Sequence, residues 1–363
     1  MTRLALAFRA VDLPDERKRH KGAVPRLGGV AIGLGVALGG GAVSLARWGD
    51  WGERVARADL VLFVIAGGIV FLVGLADDLV GVSVARKFLA ELLAAGLIVM
   101  MGWTFASVTL PKVGTLELGA FGGALTLLWI VGVTNAINLL DGLDGLAGGV
   151  VAIIAASLVV YSALQQNFFS VILMASVAGA CMGFLRYNWR GQIFLGDAGS
   201  LSLGFVLAVM TVHSSIKAHA AVAILVPVLA LGVPVIDTLL VMLTRFVEQS
   251  EGRLSDRFLR MFHADRNHLH YLLESLAGRR HRVVRLIYVL VALSCGAALV
   301  VATSHSAPAG LTLVLVELIV IVLVRRIGFV ARMREISTGQ RAELRALIRP
   351  PAESGAPGGS AGK

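Results

Sequence analysis

Charged residues and cysteines are both scarce in this sequence. Only 15% of its 363 residues are Asp, Glu, Lys or Arg, and 57% are hydrophobic, whereas a soluble domain is about 25% charged and about 45–50% apolar. These proportions exclude a soluble globular protein and predict several membrane spans. The two cysteines, Cys181 and Cys295, lie inside apolar runs, which argues against a disulfide framework and a cysteine-based metal site.

Apolar runs divide the chain into ten candidate spans, each near the ~20 residues that cross the hydrocarbon core of a bilayer. They are Leu27–Ala46, Leu60–Ala76, Phe88–Trp103, Phe121–Leu140, Leu146–Leu164, Phe168–Leu185, Leu201–Ile216, Ala221–Leu243, Val283–Thr303 and Ala309–Val324. Between the third and fourth spans, Thr104–Gly119 alternates in polarity and contains Pro111 and Gly114, which predicts a hairpin. We expect an all-α integral membrane protein with about ten transmembrane helices and a small periplasmic hairpin.

Basic residues are distributed unevenly between the two sides of these spans. With ten spans, both termini and the ends of the even-numbered spans share one side, which carries 28 of the 33 Lys and Arg residues. The other side carries Arg47, Arg54, Arg57, Lys112 and Lys217. The positive-inside rule assigns the basic side to the cytoplasm. Topology and anionic lipid headgroups therefore explain the net charge of +10, and nucleic-acid binding is not needed.

Acidic motifs recur at the cytoplasmic ends of the spans, where carboxylates can meet water, a cation or a partner. In GLADDLVG, Asp77 and Asp78 stand at the C-terminal end of a helix, where adjacent negative charges are unfavourable. A solvated helix end with Arg86 and Lys87 nearby is one explanation. Convergence with the other acidic motifs favours a site for a hard cation such as Mg²⁺ together with phosphate oxygens.

The second motif, TNAINLLDGLDGLAGG, contains two acids and two amides, each pair three residues apart. Asp141 and Asp144 would share one face of a helical turn, and the glycine after each allows a ligand to approach the backbone. Asp144 could instead cap the following helix. Capping does not account for both acids together with Asn135 and Asn138, so we predict a ligand site here.

The third motif, IFLGDAGS, places Asp197 between two glycines at the start of a helix. We expect Asp197 to be open to a cation and the free N–H groups of this helix start to face a phosphate. Phe194 precedes the acid and is either a stacking partner for a base or a buried aromatic.

The remaining candidates are histidines, basic residues and one intramembrane acid. HADRNHLHYLLES contains His268 and His270; zinc is conceivable, but no further cluster supports a closed tetrahedral site, and contact with phosphate is favoured. DERKRHKGAVPRLGG concentrates basic residues that anchor the chain or, at positions such as Lys21, bind phosphate. Asp237 lies inside a span and is a functional candidate, unless it only bonds to a neighbouring group.

Taken together, five motifs resemble, in order and spacing, those of the polyprenyl-phosphate N-acetylhexosamine-1-phosphate transferases (glycosyltransferase family 4). They are DERKRHKGAVPRLGG, GLADDL, NAINLLDGLDGLAGG, FLGDAGS and ADRNHLHYLL, spread over roughly Asp12–Leu273. The resemblance implies transfer of an amino sugar 1-phosphate from a UDP-sugar to undecaprenyl phosphate, with release of UMP and with Mg²⁺ (alternatively Mn²⁺) as cofactor. It also implies a bacterial inner-membrane protein with a cytoplasmic active site, and a homodimer is compatible with it.

Roles for the candidate residues follow from this resemblance. The predicted catalytic residues are Asp77, Asp78, His268 and His270, and the predicted metal ligands are Asp197 and Asp78. The predicted substrate-binding residues are Lys21, Lys87, Asn135, Asn138, Asp141, Asp144 and Phe194. Phe194 would stack on uracil, and the two histidines would contact the sugar or diphosphate. In domain terms, we expect a basic segment (1–26), a polytopic transferase domain (27–330) and a basic, then disordered tail (331–363).

Within the family, ADRNHLHYLL resembles the WecA/TagO branch, which starts O-antigen, enterobacterial common antigen or teichoic-acid linkage synthesis. The MraY branch of peptidoglycan synthesis usually has three consecutive histidines there. Tyr271 departs from the usual His-x-His-His, and the insert YNWRGQ is unusual, so the sugar stays open, with N-acetylglucosamine the leading choice. The alternatives outside the family are a CDP-alcohol phosphotransferase, whose motif DGLDGLAGG only begins, and a transporter, which predicts ionisable groups near the membrane midplane.

Overall fold

The computed structural model describes residues 11–12, 23–46, 57–110, 114–216, 218, 222–248, 267–277 and 279–348. Within these ranges the chain forms twelve helices and two short antiparallel hairpins. The helices are α1 (Gly28–Ala46), α2 (Arg57–Val80), α3 (Val84–Met100), α4 (Ala120–Leu140), α5 (Leu146–Leu164), α6 (Phe168–Asn188), α7 (Gly196–Ser215), α8 (Leu225–Ala230), α9 (Gly232–Glu248), α10 (Leu269–Ala277), α11 (Arg280–Ser304) and α12 (Ala307–Ile348). The strands are β1 (Val11–Asp12), β2 (Val24–Pro25), β3 (Ser107–Leu110) and β4 (Gly114–Glu117).

The predicted fold class, an all-α integral membrane protein, is confirmed, but the number of spans differs from ten. Seven helices in the described part of the chain are long and apolar enough to cross a membrane. They comprise α4, α5, α6, α7, α11 and the greater part of α2 and α12. The predicted third span is not among them, because α3 has only 17 residues and carries Arg86 and Lys87 in its first turn.

The predicted eighth span, Ala221–Leu243, is two helices rather than one. It is divided at Leu231, between α8 and α9. Proline has no N–H with which to continue a helical ladder, and Pro234 stands in the first turn of α9, where no N–H is needed. The sequence VPVLALGVP therefore ends one helix and starts the next.

The most deeply buried of the membrane-capable helices is α7, which packs against α4, α2 and α1. A seam of glycines, Gly28, Gly29, Gly74 and Gly199, makes these contacts close. A methyl group added at Gly29 would overlap with the backbone of Gly199, and one added at Gly74 would overlap with the backbone around Ala198. The glycine seam thus allows helix backbones to approach where an alanine could not fit without a shift.

Both hairpins are short and antiparallel. Strands β3 and β4 pair with Ser107 opposite Glu117, which confirms the hairpin predicted between the third and fourth spans. Strands β1 and β2 pair Val11 with Pro25 and lead into α1. At the other end of the chain, α12 continues as helix to Ile348, past the predicted domain boundary at 330.

Candidate active site

The acidic motifs meet at one end of the helix bundle. Three short loops lie at this end, and they connect α2 to α3, α4 to α5, and α6 to α7. Because consecutive helices joined by short loops run antiparallel, the end of each even-numbered helix lies beside the start of the next. The three motifs, which the sequence predicted to converge, thus form one cluster of polar side chains.

Lys87 joins two of the predicted acids. Its Nζ donates to Oδ2 of Asp197 over 2.8 Å and lies 3.3 Å from Oδ2 of Asp77. All three side chains are partly exposed, at between 20% and 27%, so they line an opening rather than a sealed core. The other oxygen of Asp77 accepts the N–H of Val82 over 2.6 Å, which holds the turn between α2 and α3 against this acid.

Asp78 caps the start of α7. Its two oxygens accept the backbone N–H groups of Asp197 and Ala198, each over 2.9 Å, and the residue is only 9% exposed. A carboxylate at a helix N-terminus is favoured both by hydrogen bonding and by the helix dipole. The expectation that the free N–H groups of this helix start face a phosphate is therefore wrong for these two groups, because Asp78 already occupies them.

The pKa of Asp141 shows that the acidic side chains lie close enough to repel one another. Burial, together with the negative charges of Asp197, Asp144 and Asp78, raises the pKa of Asp141 to about 7. Like charges in one site disfavour ionisation of each member. The cluster is therefore a place where a cation or a positively charged side chain lowers the free energy of the ionised acids.

The turn between α4 and α5 is held by contacts from α6 and α11. Gly145, at the start of α5, has a φ of 85°, in the left-handed region that favours glycine. Asn188 accepts the N–H of Gly145 over 2.7 Å, and the hydroxyl of Tyr288 donates to its carbonyl over 2.5 Å. Trp189, from the unusual insert, packs directly over Gly145.

The two asparagines of the same motif connect α4 to its neighbours. Asn138 donates to the hydroxyl of Ser200 on α7 over 2.8 Å. Asn135 donates to Glu91 on α3 and to the carbonyl of Val131. Glu91 is 1% exposed and was missed by the sequence reasoning, although its position one helical turn after Lys87, inside an apolar run, was a usable signal.

The histidine motif contacts the acidic cluster at Gly142, the glycine between Asp141 and Asp144. His270 lies in the first turn of α10, and its Nε2 faces Gly142 so closely that a methyl group on this glycine would overlap with the ring. Burial lowers the pKa of the His270 imidazole to about 4, because the charged form is disfavoured away from water. The ring is therefore neutral near pH 7. His268 is bound to Asp237 over 3.0 Å, on the far side of the histidine pair.

Phe194 is fixed by its backbone. Its N–H donates to the carbonyl of Pro25 over 2.8 Å and its carbonyl accepts the N–H of Gly28 over 3.0 Å, so the segment before Asp197 is tied to the start of α1. The side chain is partly buried. Lys21 lies outside the described residues, and stacking of Phe194 on a base stays a prediction.

The donor set fits magnesium better than a closed transition-metal site. Within the described ranges, no three His, Cys, Asp or Glu side chains are grouped so as to hold a metal ion. Mg²⁺ is usually bound through one or two carboxylates together with substrate phosphates and water. Asp197, whose carboxylate is 27% exposed, meets that requirement, whereas the buried histidines do not provide a tetrahedral set.

Comparison with known proteins gives a consistent result. Residues 60–215 match the model of glycosyl transferase family 4. A probable undecaprenyl-phosphate N-acetylglucosaminyl 1-phosphate transferase of Bacillus subtilis is 31% identical over 291 residues, which cover 80% of this chain and 76% of the relative. A decaprenyl-phosphate N-acetylglucosaminephosphotransferase of Mycolicibacterium smegmatis is 33% identical over 313 residues, covering 79% and 74%.

A third relative represents the other branch. A phospho-N-acetylmuramoyl-pentapeptide-transferase of Leuconostoc citreum is 34% identical, but over 209 residues that cover 55% of this chain and 64% of the relative. The matched family region contains the ends of α2 and α4 and the start of α7, which are the elements that carry the acidic cluster. On the extent of these similarities and the shared motifs, the chain belongs to glycosyl transferase family 4.

Proposed function

We propose that this protein transfers N-acetylglucosamine 1-phosphate from UDP-N-acetylglucosamine to undecaprenyl phosphate and releases UMP. The observation that carries the proposal is Lys87, placed between Asp77 and Asp197 at the acidic end of the bundle. The relatives from Bacillus subtilis and Mycolicibacterium smegmatis, which are named for N-acetylglucosamine phosphate transfer onto polyprenyl phosphates, support the same reaction class.

The reaction exchanges one phosphate linkage for another. An oxygen of the lipid phosphate attacks the phosphorus that carries the sugar, and the bond from that phosphorus to the UMP oxygen breaks. Such transfers depend on positioning and charge neutralisation rather than on covalent bonds to the protein. Lys87 supplies a positive charge for the diphosphate oxygens. Asp77, partly exposed beside Lys87, would accept the remaining proton of the lipid phosphate.

Magnesium is the cofactor that this donor set favours, with manganese as the alternative. Asp197 would hold the cation, and Asp78 would add a second oxygen, because among the described residues each of its carboxylate oxygens accepts one N–H group and keeps a lone pair. When bound, the cation would neutralise charge on the diphosphate.

The lipid substrate would reach the cluster from the side. Val80, Val84 and Phe88, at the junction of α2 and α3, expose large parts of their apolar side chains, at 82%, 60% and 40%. Along the chain, Val80 follows Asp77 by three residues, and Val84 and Phe88 lie within three residues of Lys87. An exposed apolar surface beside a phosphate-binding lysine suits a ligand that has a polyprenyl chain and a phosphate headgroup.

We also propose that the acidic end faces the cytoplasm of a bacterial inner membrane. Single cysteines at Thr115 (β4) and Arg282 (α11), both exposed, are expected on opposite faces because of the uneven distribution of basic residues. A membrane-impermeant thiol reagent should label Thr115→Cys in intact spheroplasts and Arg282→Cys only after lysis. The native cysteines are buried, so background labelling is low. Labelling of both from outside would contradict this topology.

The reaction is tested by incubating membranes that contain the protein with undecaprenyl phosphate and a panel of UDP-sugars. We expect a lipid diphosphate whose mass corresponds to N-acetylglucosamine, with stoichiometric UMP. Membranes with the Asp197→Asn variant are the matched control. A product only from the UDP-muramoyl-pentapeptide would favour the other branch of the family, and the absence of any lipid-linked sugar would contradict the proposal.

A further inference from the structure

Three buried or partly buried polar side chains, Asp237, His268 and Arg325, are joined by hydrogen bonds. Asp237 on α9 is 3% exposed and accepts three hydrogen bonds from two other helices or their termini. Nδ1 of His268 lies 3.0 Å from one oxygen, the N–H of Leu269 donates to the other over 3.0 Å, and the guanidinium of Arg325 also donates to it. A buried carboxylate is costly unless it is paired and hydrogen-bonded, and these three contacts meet that condition.

The arrangement ties three elements together. Asp237 belongs to α9, Arg325 belongs to α12, and His268 and Leu269 form the start of α10. Helix α10 also packs tightly on α12, where a methyl group added at Gly328 would press on the backbone of Leu272. The end of α10 that carries the histidines therefore has a defined position relative to the bundle.

The hydrogen bond to Asp237 also selects one form of the His268 ring. A carboxylate accepts, so Nδ1 carries the proton, and Nε2 of the neutral ring is an acceptor. Arg325 balances the charge of Asp237. Nε2 of His268 is buried without a hydrogen-bond partner in the part of the chain that the structure describes.

An unpaired buried polar atom is destabilising, and such atoms in native proteins call for an explanation such as a role in catalysis. His268 lies next to the cluster. Its ring is nearly parallel to that of His270, with centroids 6.0 Å apart, and His270 faces Gly142 between the two acids of the second motif.

We infer that Asp237 and Arg325 are positioning residues that hold His268 with Nε2 as a hydrogen-bond acceptor for a hydroxyl or N–H group of the sugar nucleotide. A phosphate offers mainly acceptors, so we expect this form of the ring to bind a donor group of the sugar or the nucleoside rather than the diphosphate. The inference rests on the proposed function and narrows the role of His268 within it.

Two conservative variants separate positioning from support of the fold. In His268→Asn, the amide nitrogen takes the place of Nδ1 and keeps the hydrogen bond to Asp237, but no atom replaces Nε2. We expect a thermal unfolding midpoint in detergent close to that of wild type and turnover lowered about a hundredfold. In Asp237→Asn, the amide donates towards Nδ1 and moves the ring proton to Nε2, so we expect a comparable loss of turnover.

The double variant distinguishes action through His268 from an independent effect. If Asp237 acts through Nε2, Asp237→Asn combined with His268→Asn should be no slower than His268→Asn alone, whereas independent structural losses would multiply. Glu317→Gln, which alters another buried acid on α12, is the matched control and should retain wild-type turnover. The Asp237→Asn and His268→Asn variants should have lower turnover and a higher KM for the sugar nucleotide, with an unchanged KM for the lipid.

Two results would overturn the inference alone: wild-type turnover in His268→Asn, or multiplying losses in the double variant, each with an active wild-type protein. If the wild-type protein and Glu317→Gln both lack transfer from every UDP-sugar, the proposed function fails and the inference fails with it. The two failures can be told apart by the activity of the wild-type protein, which is present in the first case and absent in the second.

Discussion

Replacement of Asp197 by Asn is expected to lower turnover by at least about a thousandfold while the protein stays folded and inserted. The substitution removes one negative charge at nearly constant volume, at the carboxylate that Lys87 contacts and that we propose as the cation ligand. Loss of a metal ligand removes on the order of several kcal/mol of transition-state stabilisation, and each 1.36 kcal/mol corresponds to about tenfold in rate. The measurement is turnover at saturating Mg²⁺ together with the thermal unfolding midpoint.

The control for this variant is Asp59→Asn, the same change in the first turn of α2, at the opposite end of that helix from Asp77. It should leave both turnover and the unfolding midpoint unchanged. Turnover of Asp197→Asn within threefold of wild type would remove Asp197 from the metal site. A large fall in its unfolding midpoint would instead assign the residue to folding.

Asp77→Asn and Asp78→Asn are expected to fail in different ways. Asp77 keeps one oxygen towards Lys87 in a partly exposed position, so its amide variant should fold normally and lose rate chiefly at low pH. Its rate should partly recover as pH rises, because the lipid phosphate then loses its proton without help. Asp78 holds the start of α7 with both oxygens, and an amide nitrogen cannot accept an N–H group.

For Asp78→Asn we therefore expect a lower unfolding midpoint and a loss of rate that pH does not restore. One lost hydrogen bond to a charged acceptor, with a buried N–H left unpaired, corresponds to about 1–3 kcal/mol of stability. The measurements are pH–rate profiles and thermal unfolding of both variants in detergent, with Mg²⁺ titrated in each. Identical profiles would refute the division of labour, and wild-type rates in both variants would remove the pair from the mechanism.

The elements that can be predicted from the sequence are those that depend on local pattern. Apolar runs of span length and the hairpin between Trp103 and Ala120 are properties of contiguous residues, and all of the predicted spans overlap with helices. The convergence of the acidic motifs also follows from local pattern, because short loops force consecutive helices to run antiparallel. The break at Leu231 could have been predicted from Pro227 and Pro234 on either side of it. It was missed because the whole run Ala221–Leu243 is apolar enough for a single span.

What could not be predicted depends on contacts between distant residues. The capping of α7 by Asp78 joins two residues 119 apart in the chain, and nothing local to GLADDL distinguishes an acid that caps a helix from one that faces a ligand. Asn188 and Tyr288 hold Gly145 from two other helices. Arg325 resembled an ordinary membrane-flanking arginine in the sequence, because its partner, Asp237, lies on another helix.

The glycine seam affects how random mutagenesis of this protein should be interpreted. Gly29 and Gly74 contact the backbone around the first turn of α7, so any side chain there displaces the helix whose first turn carries Asp197. A screen for inactive clones would therefore recover these glycines as readily as the carboxylates, although they have no group that could perform chemistry. Loss of activity at such a position measures how little the helix spacing can change. We expect no inhibitor-resistant clones with substitutions at these glycines, since the same displacement disables the enzyme.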